Sequence, residues 1–480
     1  MDKIRKQIDE IDTKLMSLLN ERYDLTKRIG KFKMDNNIGV TNSNREKDIL
    51  NKADQYLYAE EIKLLYRQLF ASNKKYQDFH YGLIGKKLPY TMSPIIFDLL
   101  GIKNYHVIET NDFKKTMDKI VYKGVTVTIP YKTEAYEYCE ELDESAGLTH
   151  TVNTIIGKKG YNTDYLGYLN IFKKLNIDFT NKKIIIIGNG ATSRTVAAAV
   201  GGNPTYLVRT IRGKHEYLIS EYKQFLDSDY IFNTTPYGTS PNYQDLPLFP
   251  LGEFTKLKMV FDVIYNPLKS PLLIEAKKHG IKAMNGIELL IEQANVSYNL
   301  FTGETGNRAD NIIKEFKKKV SNIVFIGMSY SGKSTIGAEV AKALNKNFID
   351  LDVELAKVGR DLNTLIKDQP VTVFRKYETE MAIKFSNHFN QTIATGGGTV
   401  LSEAAMNALA RNAIIVFLDT PIELLKSRID GSRPLIKTEG DLEQIYRDRI
   451  NLYLRYADIR ISNKMTILEI VEKINEVISN

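Results

Sequence analysis

Two glycine-rich turns in this chain could each hold phosphate. Residues 324–335 read VFIGMSYSGKST, where Gly327, Gly332, Lys333 and Ser334 make the spacing G-x-x-x-x-G-K-[ST]. Glycines at those places let backbone N–H groups close around phosphate oxygens. Lys333 offsets charge on the β and γ oxygens of ATP, and Ser334, followed by Thr335, opens a helix and can hold Mg²⁺. Residues 184–195 read IIIIGNGATSRT, so that Gly188, Gly190 and Ser193 form a second turn between four isoleucines and an alanine-rich helix. That order of strand, turn and helix is the order of a dinucleotide site. About 20 residues beyond Gly188, where an NAD site carries an acid for the ribose, the strand TYLV ends instead in Arg209, Thr210 and Arg212. A basic cluster suits a 2′-phosphate, so NADP(H) is expected over NAD.

The elements that must position these turns fall into segments. A length of 480 residues predicts roughly three domains. Residues 1–78 read as helices. Ile4, Ile8, Ile11, Leu15, Leu18, Leu19, Leu25 and Ile29 recur near a helical period, and further helices are expected around Arg45–Gln55 and Ala59–Tyr76. From Tyr81 short β-branched runs alternate with helical stretches, which predicts an α/β domain with a parallel sheet over 79–306. Its dinucleotide-binding Rossmann part is expected at about 180–265. The lysine-rich stretch 307–320 reads as a linker or solvated helix, and residues 321–480 as a second α/β unit built on the P-loop. The fold class is therefore multidomain, all-α followed by two α/β parts.

The bulk numbers exclude several classes. One cysteine, Cys139, rules out a disulfide framework and points to a reducing cytoplasm. The charged, periodic start is no signal peptide, and no apolar run nears the ~20 residues of a membrane span. The net charge of +8 is met by small anionic substrates, and no aromatic-basic or zinc pattern points to nucleic acid.

The last third resembles shikimate kinase. The resemblance rests on FIDLDVELA with Asp350 and Asp352, VFRKYE with Arg375, ATGGGTV with Gly396, Gly397 and Gly398, SRIDGSRPL with Arg428 and Arg433, and RINLYLRYAD with Arg449. It implies that Asp352 holds the shikimate hydroxyls and accepts the proton from the attacking one, and that Asp350 supports Mg²⁺. Arg375, Arg449 and the triple-glycine backbone would clamp the carboxylate. Arg433 would close with a lid over the phosphates, and Arg428 would lie near the adenine. Guanidinium forks fit a planar carboxylate better than a lysine does.

Residues 80–304 resemble shikimate dehydrogenase. The motifs are YTMSPIIF with Thr91 and Ser93, GVTVTIPYK with Thr128 and Lys132, TVNTI with Asn153, and GYNTDYLG with Asp164. Then come FNTTPYG with Asn233 and Thr234, DVIYNPLKSPLL with Tyr265, and IEQANVSYNLFTG with Gln293. The resemblance implies a catalytic pair, Lys132 and Asp164, ringed by Thr91, Ser93, Thr128, Asn153, Tyr265 and Gln293 around 3-dehydroshikimate or shikimate. It places Asn233 and Thr234 by the cofactor. Ketone reduction needs hydride from the cofactor and a proton for the new alkoxide, which a lysine beside an aspartate can deliver.

Residues 1–77 resemble the all-helical type of chorismate mutase, through IRKQIDEID, LLNERYDLTKRIGKFK and NREKDIL. By this resemblance Arg5, Arg22, Lys33, Arg45, Glu46 and Gln77 line the site, with Arg5 supplied by the partner of a homodimer. Arg5 and Arg22 would clamp the carboxylates of chorismate, Lys33 and Gln77 face the ether oxygen, and Glu46 hold a hydroxyl. Asn42 stands where an acid precedes the Arg-Glu pair in this family, and the serine of the last helix is Asn73, or is shifted to Ser72. The expectation is a trifunctional enzyme of aromatic amino acid biosynthesis. The alternative is a bifunctional dehydrogenase and kinase whose first helices serve dimerisation or regulation.

Overall fold

A computed structural model describes the chain apart from residues 37, 39–41, 78–79, 90, 241–242, 244–245, 361–364, 366–368 and 480, and apart from the side chains of 35, 75–77 and 479. The chain divides into two compact units. The first is Met1–Asp178 with Gly190–Gly201 and Ile291–Arg308; the second is Phe179–Asn189 with Gly202–Leu290 and Ala309–Asn480.

The first unit begins with a helix of 34 residues, Asp2–Asp35, in a stretch without proline. The helix Ser43–Asn51 follows, capped by Asn42, whose side chain accepts from the Arg45 N–H at 3.1 Å. Lys52–Gln55 tightens into a 3₁₀ turn, and Ala59–Gln77 completes the trio. The periodic residues of the first helix are not a core within this chain: Ile4, Ile8, Ile11, Leu15, Leu18, Leu25 and Ile29 are all exposed.

The sheet of this unit has six strands: β1 (Tyr81–Gly85), β2 (Tyr105–Glu109), β3 (Gly124–Val127), β4 (Glu141–Leu142), β5 (Thr154–Ile156) and β6 (Lys159–Tyr161), in the order β2-β1-β3-β5-β6-β4. It is mixed, not the parallel sheet expected from Tyr81 onward. β1, β2 and β3 run parallel, but β5 pairs antiparallel with both β3 and β6. The cause is local. Only Gly157 and Lys158 separate β5 from β6, and Gly157 takes φ 60°, the left-handed conformation that lets two residues close a hairpin.

The second unit carries two sheets in which every described pairing is parallel. β7 (Ile184–Ile187), β8 (Thr205–Val208), β9 (Glu216–Leu218), β10 (Tyr230–Asn233), β11 (Met259–Asp262) and β12 (Lys282–Met284) lie in the order β12-β11-β10-β7-β8-β9. β13 (Asn322–Ile326), β14 (Asn347–Asp350), β15 (Gln391–Ala394), β16 (Ala413–Asp419) and β17 (Ile459–Ser462) lie in the order β14-β15-β13-β16-β17. In both sheets the strand before the glycine turn has a neighbour on each side reached by crossovers, the switch point at which such folds bind ligands. β7 and β13 are buried throughout, which explains their unbroken apolar runs.

Residues 307–320 are not a linker. Ala309–Val320 is a helix that buries Ala309, Ile312, Ile313, Phe316 and Val320, and it packs on the helix Ile467–Ser479. Its lysines crowd the last turn, where they complement the helix dipole.

Candidate active sites

The kinase-like site lies in the second unit. After β13 the chain turns through Gly327, at φ 148°, where a Cβ would stand 2.8 Å from the Leu418 carbonyl oxygen. Gly332, at φ 92°, caps the helix Lys333–Ala343. Both positions hold a backbone conformation that favours glycine. Lys333 is buried and donates to the Gly327 and Met328 carbonyls at 3.0 and 2.8 Å. Burial pushes its ammonium down to about 8, against the pull of Asp352. Ser334 Oγ donates to Asp350 Oδ2 at 2.5 Å, and the other oxygen of Asp350 caps the helix Leu351–Lys357. Hydroxyl and carboxylate thus meet where Mg²⁺ was expected, although no cluster of three or more acidic, histidine or cysteine ligands occurs among the described residues.

Beside this loop is a cavity of about 300 Å³ lined by Asp352, Arg375, Arg433, Arg449 and the backbone of Gly396, Gly397 and Gly398. The spacing that resembled a carboxylate clamp converges on one space. A Cβ on Gly398 would run into the Arg375 guanidinium, so the third glycine of the run leaves the room that this arginine occupies. Arg449 Nη1 donates to the Gly397 carbonyl at 2.9 Å. Arg433 Nη1 donates to Asp352 Oδ2 at 2.8 Å, so this arginine is held at the cavity carboxylate. Arg428 donates to the Tyr330 carbonyl at 2.9 Å. Two residues here escaped the sequence reading. Glu378, only 2% exposed, binds Arg375 at 2.5 Å and accepts from Thr399 Oγ1 at 2.7 Å. Tyr453 donates to the Gly397 carbonyl at 2.5 Å, and burial pushes its hydroxyl up to about 12. Glu378 sits three residues after Arg375, a helical neighbour, and that spacing was a usable signal.

In the first unit, Lys132 opens the helix Lys132–Tyr138 and Asp164 lies in the first turn of Thr163–Lys174. Lys132 Nζ and Asp164 Oδ2 stand 2.5 Å apart, with side chains 16% and 13% exposed. Asn153 is buried and its Oδ1 accepts from Thr163 N at 2.7 Å, just before Asp164. Thr163 Oγ1 is within 3.3 Å of Gln293 Oε1 and 3.0 Å of Ser297 Oγ. Thr163 and Ser297 therefore bind the helix of Asp164 to the helix of Gln293, a link that spacing did not reveal. Thr91 and Ser93 share a hydrogen bond of 3.3 Å, and Thr128 N donates to the Ile84 carbonyl at 2.9 Å beside Gly85. Ser193, in the helix Ala191–Val200, is buried and donates to the Gly190 carbonyl at 2.7 Å. Its hydroxyl is spent within the turn.

In the second unit, Gly188 has φ 105° and a Cβ there would stand 2.8 Å from Thr234 Oγ1, so the turn admits only glycine at this place. Thr234 donates to the Ile187 carbonyl at 2.6 Å. Asn233 differs from the expectation of a cofactor contact. It is buried, its Nδ2 donates to Asp262 at 2.9 Å, and its Oδ1 accepts from Thr235, so its side chain braces the strands. Asp262 also accepts from Ser270 at 2.5 Å, and burial raises its carboxyl to about 6. Burial likewise raises the Tyr265 phenol. Arg209, Thr210 and Arg212 are exposed on the loop after β8. That loop is held by Glu216, which accepts from Arg212 N and Gly213 N and from Asn189 Nδ2.

Among the helices of residues 1–77, Arg22 Nη1 and Asn73 Oδ1 are buried with no hydrogen-bond partner, and the Arg22 guanidinium lies 5.8 Å from the Tyr66 ring and 5.9 Å from Phe70. Buried polar atoms left without a partner among the described residues are few in folded proteins, and they call for one from water, an ion or a ligand. Glu46 pairs with Lys74 at 2.9 Å. Lys33 is half-buried in the last turn of the first helix. Arg5 and Arg45 are exposed, Arg5 standing 3.9 Å from Asp2. The Gln77 side chain lies outside the described residues. No helix among the described residues is long and apolar enough to cross a membrane.

These arrangements define an oxidoreductase of the doubly wound α/β type, preceded in the chain by helices and followed by a P-loop kinase fold. The chain belongs to the shikimate dehydrogenase family. It is 34% identical over 254 residues to the shikimate dehydrogenase (NADP(+)) of Methanococcus maripaludis, spanning 46% of this chain and 91% of that relative. It is 31% identical over 260 residues to that of Bacillus subtilis, spanning 47% of this chain and 92% of the relative. The family description "Shikimate dehydrogenase substrate binding domain" matches residues 83–155, "Chorismate mutase type II" residues 4–78, and "Shikimate kinase" residues 330–479. Among solved structures, a chorismate mutase/shikimate 5-dehydrogenase fusion protein from Clostridium acetobutylicum is similar at 28% identity and a TM-score of 0.45, over 50% of this chain and 96% of that one.

Proposed function

We propose that the chain is a trifunctional enzyme of aromatic amino acid biosynthesis. It reduces 3-dehydroshikimate to shikimate with NADPH, phosphorylates shikimate with ATP, and rearranges chorismate to prephenate. The observation that carries this reading is the cavity beside the P-loop, where two carboxylates and three arginines meet a triple-glycine backbone. It fits a small polyhydroxylated carboxylate next to a phosphoryl donor.

When bound, NADPH supplies the hydride, ATP the phosphoryl group, and Mg²⁺ charge neutralisation. The protein's own residues do the rest. Asp352 accepts the proton of the attacking hydroxyl, while Arg375 and Arg449 hold the carboxylate. Gly327, Gly332 and Lys333 cradle phosphate; Ser334 and Asp350 hold Mg²⁺; Arg428 borders the adenine. Glu378 keeps Arg375 in place. In the dehydrogenase, Lys132 delivers a proton to the carbonyl oxygen and Asp164 holds its ammonium. Thr91, Ser93, Thr128, Asn153, Tyr265 and Gln293 orient the ring substrate, and Arg209, Thr210 and Arg212 receive the 2′-phosphate.

Arg22, Lys33 and Gln77 act on chorismate in the helical domain. The exposed isoleucine row of the first helix supports a homodimer in which a second copy covers it and lends Arg5. The lone Cys139 agrees with a cytoplasmic setting. The Glu46–Lys74 pair favours one other reading of this domain, a ligand-binding regulatory module, because it occupies the carboxylate meant for the chorismate hydroxyl. Loss of chorismate absorbance with the full chain and with Arg22→Ala decides. Turnover that vanishes in the variant supports the mutase; none in the wild type, with the dimer intact, leaves a bifunctional enzyme.

A further inference from the structure

The segment that follows Tyr265 is built onto the kinase part of the second unit. Leu268 N donates to Asn412 Oδ1 at 2.9 Å, and Lys269 N to the Arg411 carbonyl at 3.0 Å. Lys269 Nζ donates to the Ala413 carbonyl at 3.1 Å and stands 3.5 Å from Asp458 Oδ2. These partners border the sheet of the P-loop, Ala413 beginning β16 and Asp458 preceding β17.

The junction has the marks of a built interface. Asn412 is 1% exposed, and its Nδ2 is spent on the Ser386 carbonyl at 3.2 Å. Without Leu268, its buried Oδ1 would have no partner, a costly state. Asp458 has a second duty, accepting from Ile415 N at 3.0 Å. On its other side the segment is pinned by the Asn266 carbonyl, which accepts from Ser240 N and Thr239 Oγ1, each at 3.0 Å. Pro267 fixes one of the few soft dihedrals between Tyr265 and Leu268. The backbone directly after Tyr265 is therefore held twice, at Asn266 and again at Leu268 and Lys269, and the second hold is the kinase.

We propose that Lys269, Asn412 and Asp458 are positioning residues for shikimate binding by the dehydrogenase, acting through Tyr265, so that the kinase part is a structural component of the reductase. The proposal rests on the reading of function above. Its test is steady-state shikimate oxidation by the full chain carrying Lys269→Ala, Asp458→Asn or Lys269→Arg. The first two are expected to raise the KM for shikimate about three- to tenfold, the size of one or two lost hydrogen bonds. The KM for NADP should stay put, and Lys269→Arg should recover most of the loss. Lys269→Ala should leave phosphorylation of shikimate unchanged, which separates a positioning effect from general unfolding. If Asp458→Asn also loses kinase activity, Lys269→Ala alone decides. An unaltered KM in Lys269→Ala, with an active wild type, overturns the proposal; a wild type that does not oxidise shikimate strikes the reading of function instead.

Discussion

Two lysines of the second unit are pushed by burial down to about 8, and only one of them should answer to nucleotide. Lys333 sits in the P-loop on two carbonyls, whereas Lys346 is bonded to the Lys318 and Ser321 carbonyls away from the glycine turn. A group titrating at about 8 is about nine-tenths protonated at pH 7, half at pH 8 and about one-tenth at pH 9. A phosphate charge ~4 Å from the ammonium, at an effective dielectric of ~20, favours the charged form by about 4 kcal/mol, enough to keep it protonated beyond pH 10. Binding a non-hydrolysable ATP analogue should therefore take up about 0.1 proton at pH 7, about 0.5 at pH 8 and about 0.9 at pH 9. Titration calorimetry in two buffers of different ionisation enthalpy measures that uptake. Lys346 keeps its surroundings in both states and cancels. Uptake that stays flat across this range, or Lys333→Met binding the analogue with the same rising uptake, would show that Lys333 is not the group that responds to nucleotide.

Further outcomes can be checked alongside. Asp352→Asn should lower phosphoryl transfer at least about 100-fold while ATP still binds, measured by ADP release and nucleotide titration. Asp164→Asn and Lys132→Met should each cut reduction of 3-dehydroshikimate by about 10²- to 10⁴-fold with little change in the KM for NADPH; a smaller loss would make their 2.5 Å contact an ordinary ion pair. Glu378→Ala should raise the KM for shikimate in the kinase reaction and cost about 3 kcal/mol of stability, since it strands the Arg375 guanidinium. Asp262, raised to about 6, binds its proton more tightly folded than unfolded. Its contribution to stability is therefore full below about pH 4 and is lost as pH rises through 6, by up to about 3 kcal/mol. Asp262→Asn should flatten that slope in denaturant melts between pH 4 and 7.

The kinase site was the most legible in the sequence, because its chemistry depends on residues that tolerate no substitute. Gly327 and Gly332 hold positive φ, Gly398 leaves room for a guanidinium, and Lys333 follows at fixed spacing. The pair Lys132 and Asp164 was legible only by resemblance, since 32 positions of chain carry no signal that two charges will meet. What stayed hidden was the bracing. Glu378, Glu216, Asp262 and the Thr163–Ser297 link are polar groups whose partners are chosen by tertiary packing. Asn233 sat in a recognisable motif, yet its amide turned inward to Asp262 because that buried carboxyl needs donors. The isoleucines of the first helix were legible as a helical period, but a period cannot say which surface covers them. Lys317, Lys318 and Lys319 drew 307–320 toward a solvated reading, although the apolar face of the same helix was present in the letters.

That helix bears on how the chain can be cut. A kinase fragment begun at 321, where the P-loop sheet starts, would lose Ile312, Ile313 and Phe316 and lay bare the flank of Ile467–Ser479 on which they rest. Such a fragment would carry every residue of its active site and still clump on expression. A cut must fall upstream of Ala309 to keep that flank covered, so the seam of the fold and the seam of the catalytic residues lie at different places in this polypeptide.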